Sequence, residues 1–189
     1  MGLNYQFIFR GIVIFTIGQR IYELFLSNKN IKNLFIKGGI LIKEKNYLLM
    51  VILHTSWLAV LLYYSMFVNL VISQEFFIVF FFLFLLGQML RIIAIKTLGE
   101  RWSTQIIILP GAPAINKGVF KYFRHPNYLG VIIELASLPL MVSLYKVSLV
   151  FSLLNFFILY FRIKLEELSL SKYNDYKEIF NIAKENKNV

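Results

Sequence analysis

Arg162, Glu166 and Glu167 close the last apolar run of the chain, in "RIKLEE". Residues four apart share one face if the helix continues, so Arg162 and Glu166 bracket a common point. A guanidinium fork suits an anionic oxygen such as a carboxylate or an enolate. Two adjacent carboxylates at a helix C-terminus are mildly unfavourable, because that end prefers cations. A cationic ligand reverses the balance. A second polar group lies upstream in "GVFKYFRHPNYLG", Gly118 to Gly130, which places Arg124, His125, Pro126, Asn127 and Tyr128 side by side. Proline is favoured at the first helical position. One reading therefore makes Arg124 and His125 headgroup-level cations, Pro126 a helix start and Tyr128 a member of the interfacial aromatic belt. It explains each residue separately and leaves the paired glutamates unexplained.

These residues need a scaffold, and the composition says which kind. The chain has 189 residues, 58% hydrophobic and 17% aromatic, with only 16% charged. Soluble domains are less apolar and carry more charge. The expected class is all-α, a polytopic membrane helix bundle forming a single domain over residues 1–189. There are no cysteines, which excludes disulfides and thiolate metal sites. The two histidines, His54 and His125, lack metal-ligand spacing, so no metal is expected.

A spanning helix takes about 20 mostly apolar residues. Five candidates follow: about Leu3 to Leu26, Tyr47 to Ile72, Phe76 to Ile95, Tyr128 to Tyr145 and Val147 to Leu165. The third, with "EFFIVFFFLFLLGQML", is the plainest; Arg10, Gln19, Arg20 and Glu23 interrupt the first. The first has neither the basic start nor the small-residue cleavage site of a signal peptide. Between spans one and two lie Lys29, Lys32, Lys37, Lys43 and Lys45, whereas the next link, "SQE", has no Lys or Arg. Lys96, Arg101, Lys117, Lys121 and Arg124 follow span three, and only Lys146 follows span four. The tail is basic again, with Arg162, Lys164, Lys172, Lys177, Lys184 and Lys187. This alternation predicts an N-terminus outside and a cytoplasmic C-terminus, with both polar groups on the cytoplasmic side. The net charge of +10 then reflects cytoplasmic loops and anionic membrane lipids, not nucleic acid.

The two polar groups together resemble the signatures of the isoprenylcysteine carboxyl methyltransferase family. "GVFKYFRHPNYLG" follows its Gly-x-aromatic and Arg-His-Pro-x-Tyr-x-Gly pattern, and "RIKLEE" its arginine with paired glutamates. "TLGERWSTQ" is similar to the family's approach segment, and the likeness covers about residues 91–176. "QRIYEL", "NYLLMVILH" and "IIILPGA" resemble the small bacterial members that methylate alkylpyrones made by type III polyketide synthases. The resemblance implies an S-adenosylmethionine-dependent methyltransferase of the bacterial plasma membrane. Its cofactor pocket is cytoplasmic and its lipophilic substrate enters from the bilayer.

Carried onto this sequence, the resemblance assigns cofactor contacts to His125, Pro126, Asn127 and Tyr128, and an aromatic contact to Phe120. Gln105 falls on an upstream cofactor contact. Ala112, Pro113, Ala114 and Ile115 fall where many members have His-x-Leu-Val, so the family histidine is missing here. Glu166 matches the acid that holds the cofactor, and Arg162 the catalytic arginine beside the substrate. After Glu167 the second signature shortens to "LSLSKYNDYKEIF". An adenosyl sulfonium with an ammonium suits this set: Glu166 for the ammonium, Tyr128 and Phe120 for a cation or adenine face, His125 as a directional donor or acceptor.

Other polar residues have plainer alternatives. Glu134 in span four, with Arg91 in span three as partner, makes either a structural pair or a substrate site. Arg20 and Glu23 read as a local pair. His54 reads as a polar helix–helix contact before a catalyst. An acidic oxygen arrives ionised and needs no strong base, whereas a protonated amine does. This favours O-methylation of an alkylpyrone-like lipid or a carboxylate over phospholipid N-methylation. A small transporter or scaffold is disfavoured, since the chain lacks repeats and concentrates its polar residues on one face.

Overall fold

The computed structural model describes residues 4–180. The expected start at Leu3 and the tail lysines Lys184 and Lys187 lie outside them. Five long helices dominate: α1 (Tyr5–Ile36), α2 (Tyr47–Phe67), α3 (Gln74–Leu98), α4 (Pro126–Leu140) and α5 (Tyr145–Tyr173), followed by the short α6 (Tyr176–Ile179). The all-α membrane class stands. Three helical segments are long and apolar enough to cross a membrane: Tyr47–Phe67, Gln74–Arg101 and Tyr145–Tyr173.

All five expected spans shift their bounds, span two ending at Phe67 and span five running to Tyr173, and two further shifts have a visible cause. The stretch from Ser27 onward, read as a loop from its Asn and Lys content, is helical to Ile36. Its polar residues do not stop the helix because they find partners outside it. Asn30 donates to the carbonyls of Gly99 (3.2 Å) and Trp102 (2.8 Å), and the Ser27 hydroxyl lies 2.9 Å from Thr104 Oγ1. Span four ends early. Pro139 sits in the last turn of α4, and the chain turns through Ser143 at φ 59° before α5. Fifteen helical residues rise about 22 Å, short of a hydrocarbon core about 30 Å thick.

A two-stranded antiparallel ribbon was not anticipated. β1 (Ile40–Leu41) pairs with β2 (Ile107–Ile108), matching Ile40 with Ile108 and Leu41 with Ile107. Strands this short give no readable alternation in sequence. The ribbon ties the α1–α2 connection to the segment that follows α3.

Helices α3 and α4 meet most closely at Gly87 and Gly130. A methyl group on Gly130 would stand 2.5 Å from Arg91 Cγ and 2.7 Å from the Gly87 carbonyl oxygen. Small residues let helix backbones approach closely in a membrane. The last glycine of "RHPNYLG" therefore fixes where the motif sits against α3. The apolar core lies on the far side of the bundle from the two polar groups. Phe9, Val13, Trp57, Leu61, Leu135 and Leu138 are all fully buried there.

Candidate functional site

At the end of the bundle where α4 begins and α5 ends, the helices and loops enclose a cavity of about 340 Å³. That is within the ~300–1,000 Å³ range of small-molecule pockets. Pro126 opens α4 at its first position, so His125 is the last residue before the helix. The next turn carries Asn127 and Tyr128 to the cavity wall.

The paired glutamates separate. Adjacent helical positions point about 100° apart, so one acid faces the cavity and the other leaves it. Glu166 lines the cavity and accepts the Tyr128 hydroxyl at 2.5 Å through Oε2. Its Oε1 has no partner among the described residues. Glu167 lies 3.0 Å from His125 Nε2 and 3.1 Å from Arg124 Nη1. Tyr176 donates to the same carboxylate at 3.5 Å. Burial and the Glu167 carboxylate push the Tyr176 hydroxyl well above its usual range, so it stays a neutral donor. Glu167 thus clamps the "RHP" turn to α5. The His125 ring stacks on Tyr128 at 5.4 Å between centroids.

Arg162 differs from expectation. An open fork for an anionic acceptor is not what α5 offers. Nε donates to the Tyr128 hydroxyl (2.8 Å), Nη1 to both oxygens of Glu44 (2.8 and 2.5 Å) and Nη2 to the Thr104 carbonyl (2.9 Å). These contacts use four of the five N–H donors of a guanidinium and leave one at Nη2. Arg162 still lines the cavity. Its geometry fixes Tyr128, whose oxygen accepts from Arg162 and donates to Glu166. Glu44, between β1 and α2, is the residue that sequence reasoning missed. Its surroundings, "LIKEKN", read as a solvated basic loop with one acid. Only the ribbon turns it inward, to 6% side-chain exposure.

Of the other expected cofactor contacts, Gln105, Ala112, Ala114, Ile115 and Phe120 line the cavity. Pro113 does not. It is exposed, and its carbonyl accepts from Arg101 at 2.6 Å. The loop is held rigidly: Ala112 N–H donates to Leu109 O at 3.2 Å, and Ala114 N–H to Asp175 Oδ1 at 2.6 Å. Ala112 therefore has its carbonyl, not its amide, available in place of the missing histidine.

Arg91 and Glu134 form the structural pair, one of the two alternatives. Arg91 Nη1 meets Glu134 Oε2 at 2.8 Å, and Arg20 Nη2 reaches the same oxygen at 2.6 Å. Glu23 Oε2 pairs with Arg20 Nη1 at 3.0 Å and with Arg91 Nη2. The result is a neutral tetrad joining α1, α3 and α4. Glu134 is fully buried and is not part of the cavity wall, which corrects the substrate-contact expectation for it. Arg91, with Arg20 and Glu23, does reach that wall. The expected polar contact of His54 is also corrected. Among the described residues it has no hydrogen-bond partner, and it lines the cavity.

An ammonium-bearing cofactor fits the polar end of this cavity. Two acceptors there are open: Asn127 Oδ1, buried without a partner, and Glu166 Oε1, on a side chain 27% exposed. An unpaired buried acceptor costs about 1–3 kcal/mol and calls for a donor.

The model of the isoprenylcysteine carboxyl methyltransferase family matches residues 77–172. A Bacillus subtilis (strain 168) protein described as uncharacterized protein YpbQ is 28% identical over 163 residues, 86% of this chain and 96% of its own length. A Haemophilus influenzae protein described as uncharacterized is 33% identical over 153 residues, 80% of this chain and 88% of its own. No solved structure matches the chain.

Proposed function

Because the chain belongs to the isoprenylcysteine carboxyl methyltransferase family and is a membrane methyltransferase, we propose that it moves a methyl group from S-adenosylmethionine to an acidic oxygen of a lipophilic acceptor. The observation that carries this reading is the pair of acceptors, Asn127 Oδ1, buried without a partner, and the Glu166 carboxylate, at one end of the cavity. The cofactor supplies an activated methyl on a sulfonium, which passes in line to a nucleophile. Alignment and water exclusion are the protein's share, and alignment alone is worth roughly 7–11 kcal/mol in favourable cases.

Glu166 pairs with the ammonium, and Tyr128 and Phe120 offer ring faces to the cation or to adenine. Gln105, Ala112, Ala114 and Ile115 close the wall around it. His125, held by Glu167, and Pro126 set the first turn of α4. Arg162 acts mainly as a positioning residue through Tyr128, with one N–H left for an acceptor oxygen. The cavity draws on both the first two helices and the matched stretch, which supports one domain over the whole chain.

The acceptor of first choice is an alkylpyrone-like polyketide lipid, supplied by a type III polyketide synthase, or a carboxylate. Either is ionised near neutral pH and needs no strong base. Phospholipid N-methylation is the runner-up. The basic loops support a cytoplasmic cofactor end and an outside N-terminus, and the bacterial relatives support the plasma membrane.

Calorimetric titration of the purified protein tests the reading. Wild type should bind S-adenosylmethionine, and Glu166→Gln should lose about 1.5–3 kcal/mol of affinity. Absence of binding by folded wild type overturns the cofactor reading; equal binding by the variant overturns the role of Glu166. Radiolabelled methyl should enter a long-chain 4-hydroxy-2-pyrone. Transfer to phosphatidylethanolamine alone promotes the runner-up.

A further inference from the structure

Helix α2 presents one stripe to the cavity: Tyr47, Met50, Val51, His54, Thr55 and Leu58. The spacing of three and four is a single helical face. Its rotation is fixed from the other side, where Leu53, Trp57 and Leu61 are buried at intervals of four. The stripe lies outside residues 77–172, the part of the chain that the family model matches.

Within the stripe His54 is the anomaly. An ionisable side chain inside a spanning helix is costly and normally has a partner. His54 has none among the described residues, and its ring opens on the cavity. Across the cavity stand Arg20, Glu23 and Arg91, whose charges are cancelled within the tetrad. Around it, Leu24, Met50, Val51 and Leu58 make an apolar sleeve.

Depth along α2 orders the cavity. The Tyr47 hydroxyl lies 3.4 Å from Thr104 Oγ1, and the Thr104 carbonyl accepts from Arg162. Tyr47 therefore marks the level of the Tyr128–Arg162–Glu166 group. His54, seven residues further along, sits about 10 Å deeper along the helix.

We propose that His54 is an acceptor-binding residue: its imidazole hydrogen-bonds the oxygen-bearing head of the lipophilic acceptor, while Leu24, Met50, Val51 and Leu58 hold the first part of its chain. The assignment rests on the methyl-transfer reading and adds the acceptor half of the site. A neutral imidazole carries one N–H and one lone pair. It can donate to an enolate or carboxylate oxygen, and accept from a ring hydroxyl. A purely apolar sleeve would not discriminate an oxygenated head from a hydrocarbon. A buried polar group that loses its partner does so strongly.

The chain's two histidines make the test internal. His54 and His125 both line the one cavity, and their diethyl pyrocarbonate adducts are resolved by peptide mass spectrometry. Purified protein in detergent is modified alone, with S-adenosylmethionine, and with a long-chain 4-hydroxy-2-pyrone. The pyrone should slow His54 modification about tenfold and spare His125; the cofactor should do the reverse. An unchanged His54 rate at saturating pyrone, or no reaction of His54 in the free protein, overturns the assignment. Protection of His54 by pyrone without protection of His125 by cofactor supports the assignment and breaks the cofactor reading alone. In the assay, His54→Leu should raise KM for the pyrone about tenfold with cofactor affinity unchanged, and His54→Gln should recover most of it. An unchanged KM in His54→Leu also overturns the assignment.

Discussion

Two arginine–glutamate clusters sit in the same bundle, built from the same residue types, and they do opposite things. In the tetrad, Arg20, Glu23, Arg91 and Glu134 neutralise one another across α1, α3 and α4. At the cofactor end, Glu44, Arg162, Tyr128 and Glu166 form a chain of contacts that stops at an open carboxylate oxygen. A closed cluster holds helices together. An open one offers a carboxylate to whatever enters the cavity. The tetrad's charges cancel, although Glu134 Oε1 and Arg91 Nε stay without partners among the described residues, whereas the second cluster presents a carboxylate to the cavity; a list of charged residues does not show this.

Breaking the tetrad should cost the most. Glu134→Gln leaves two guanidiniums, Arg91 buried and Arg20 partly so, facing one carboxylate. Removing one partner of a buried pair costs about 3–5 kcal/mol. Thermal unfolding in detergent should show this loss, while S-adenosylmethionine affinity in the remaining folded protein stays near wild type. A stable variant with lost cofactor binding would mean that the two clusters are not separate.

Opening the cofactor cluster from behind should do less. Glu44→Gln keeps an acceptor for Arg162 Nη1 but removes the charge. We expect methyl transfer to fall roughly five- to tenfold, about 1–1.5 kcal/mol, because Tyr128 loses its fixed orientation. Glu44→Asp should restore part of it. Unchanged turnover in Glu44→Gln would reduce Glu44 to a passive counter-ion.

A third pair marks the lower bound. Lys37 and Glu100 meet on the surface, each more than half exposed. The Lys37 ammonium holds the Glu100 carboxyl below its usual range. A depressed carboxyl supports the fold only above its unfolded value and loses that support as pH falls. Solvent screening makes the contribution negligible here. Lys37→Ala should leave both the unfolding temperature and methyl transfer unchanged. A measurable drop would show that the ribbon beside it carries stability to the site.

Much of this was legible in the chain. The apolar runs, "RHPNY" and "RIKLEE" placed the polar ends of α4 and α5, and the family likeness named Gln105, His125, Asn127, Tyr128, Arg162 and Glu166, which share one cavity wall. Glu44 was not legible, since one acid among lysines reads as a solvated loop. Nor was the fate of Pro113, exposed while its neighbours Ala112 and Ala114 reach the cavity. The apolar run ends before Ser27, yet α1 continues because Ser27 and Asn30 find partners in the segment after α3.

The sequence by itself determined the solvent and the reactive groups. Hydropathy is a local property, and no arrangement of this chain could bury so much apolar surface in water. The helical spacing of Arg162 and Glu166 is local too. Pairing is not. Whether Arg162 meets an acceptor or Glu44, whether Glu134 meets a substrate or two arginines, and whether His54 meets anything at all depend on helices far apart in the chain. Those contacts are fixed by close approach at Gly87 and Gly130 and by a ribbon of two residues a side. Only the tertiary structure decided them, because an ion pair is made by position in space and leaves no periodicity to read.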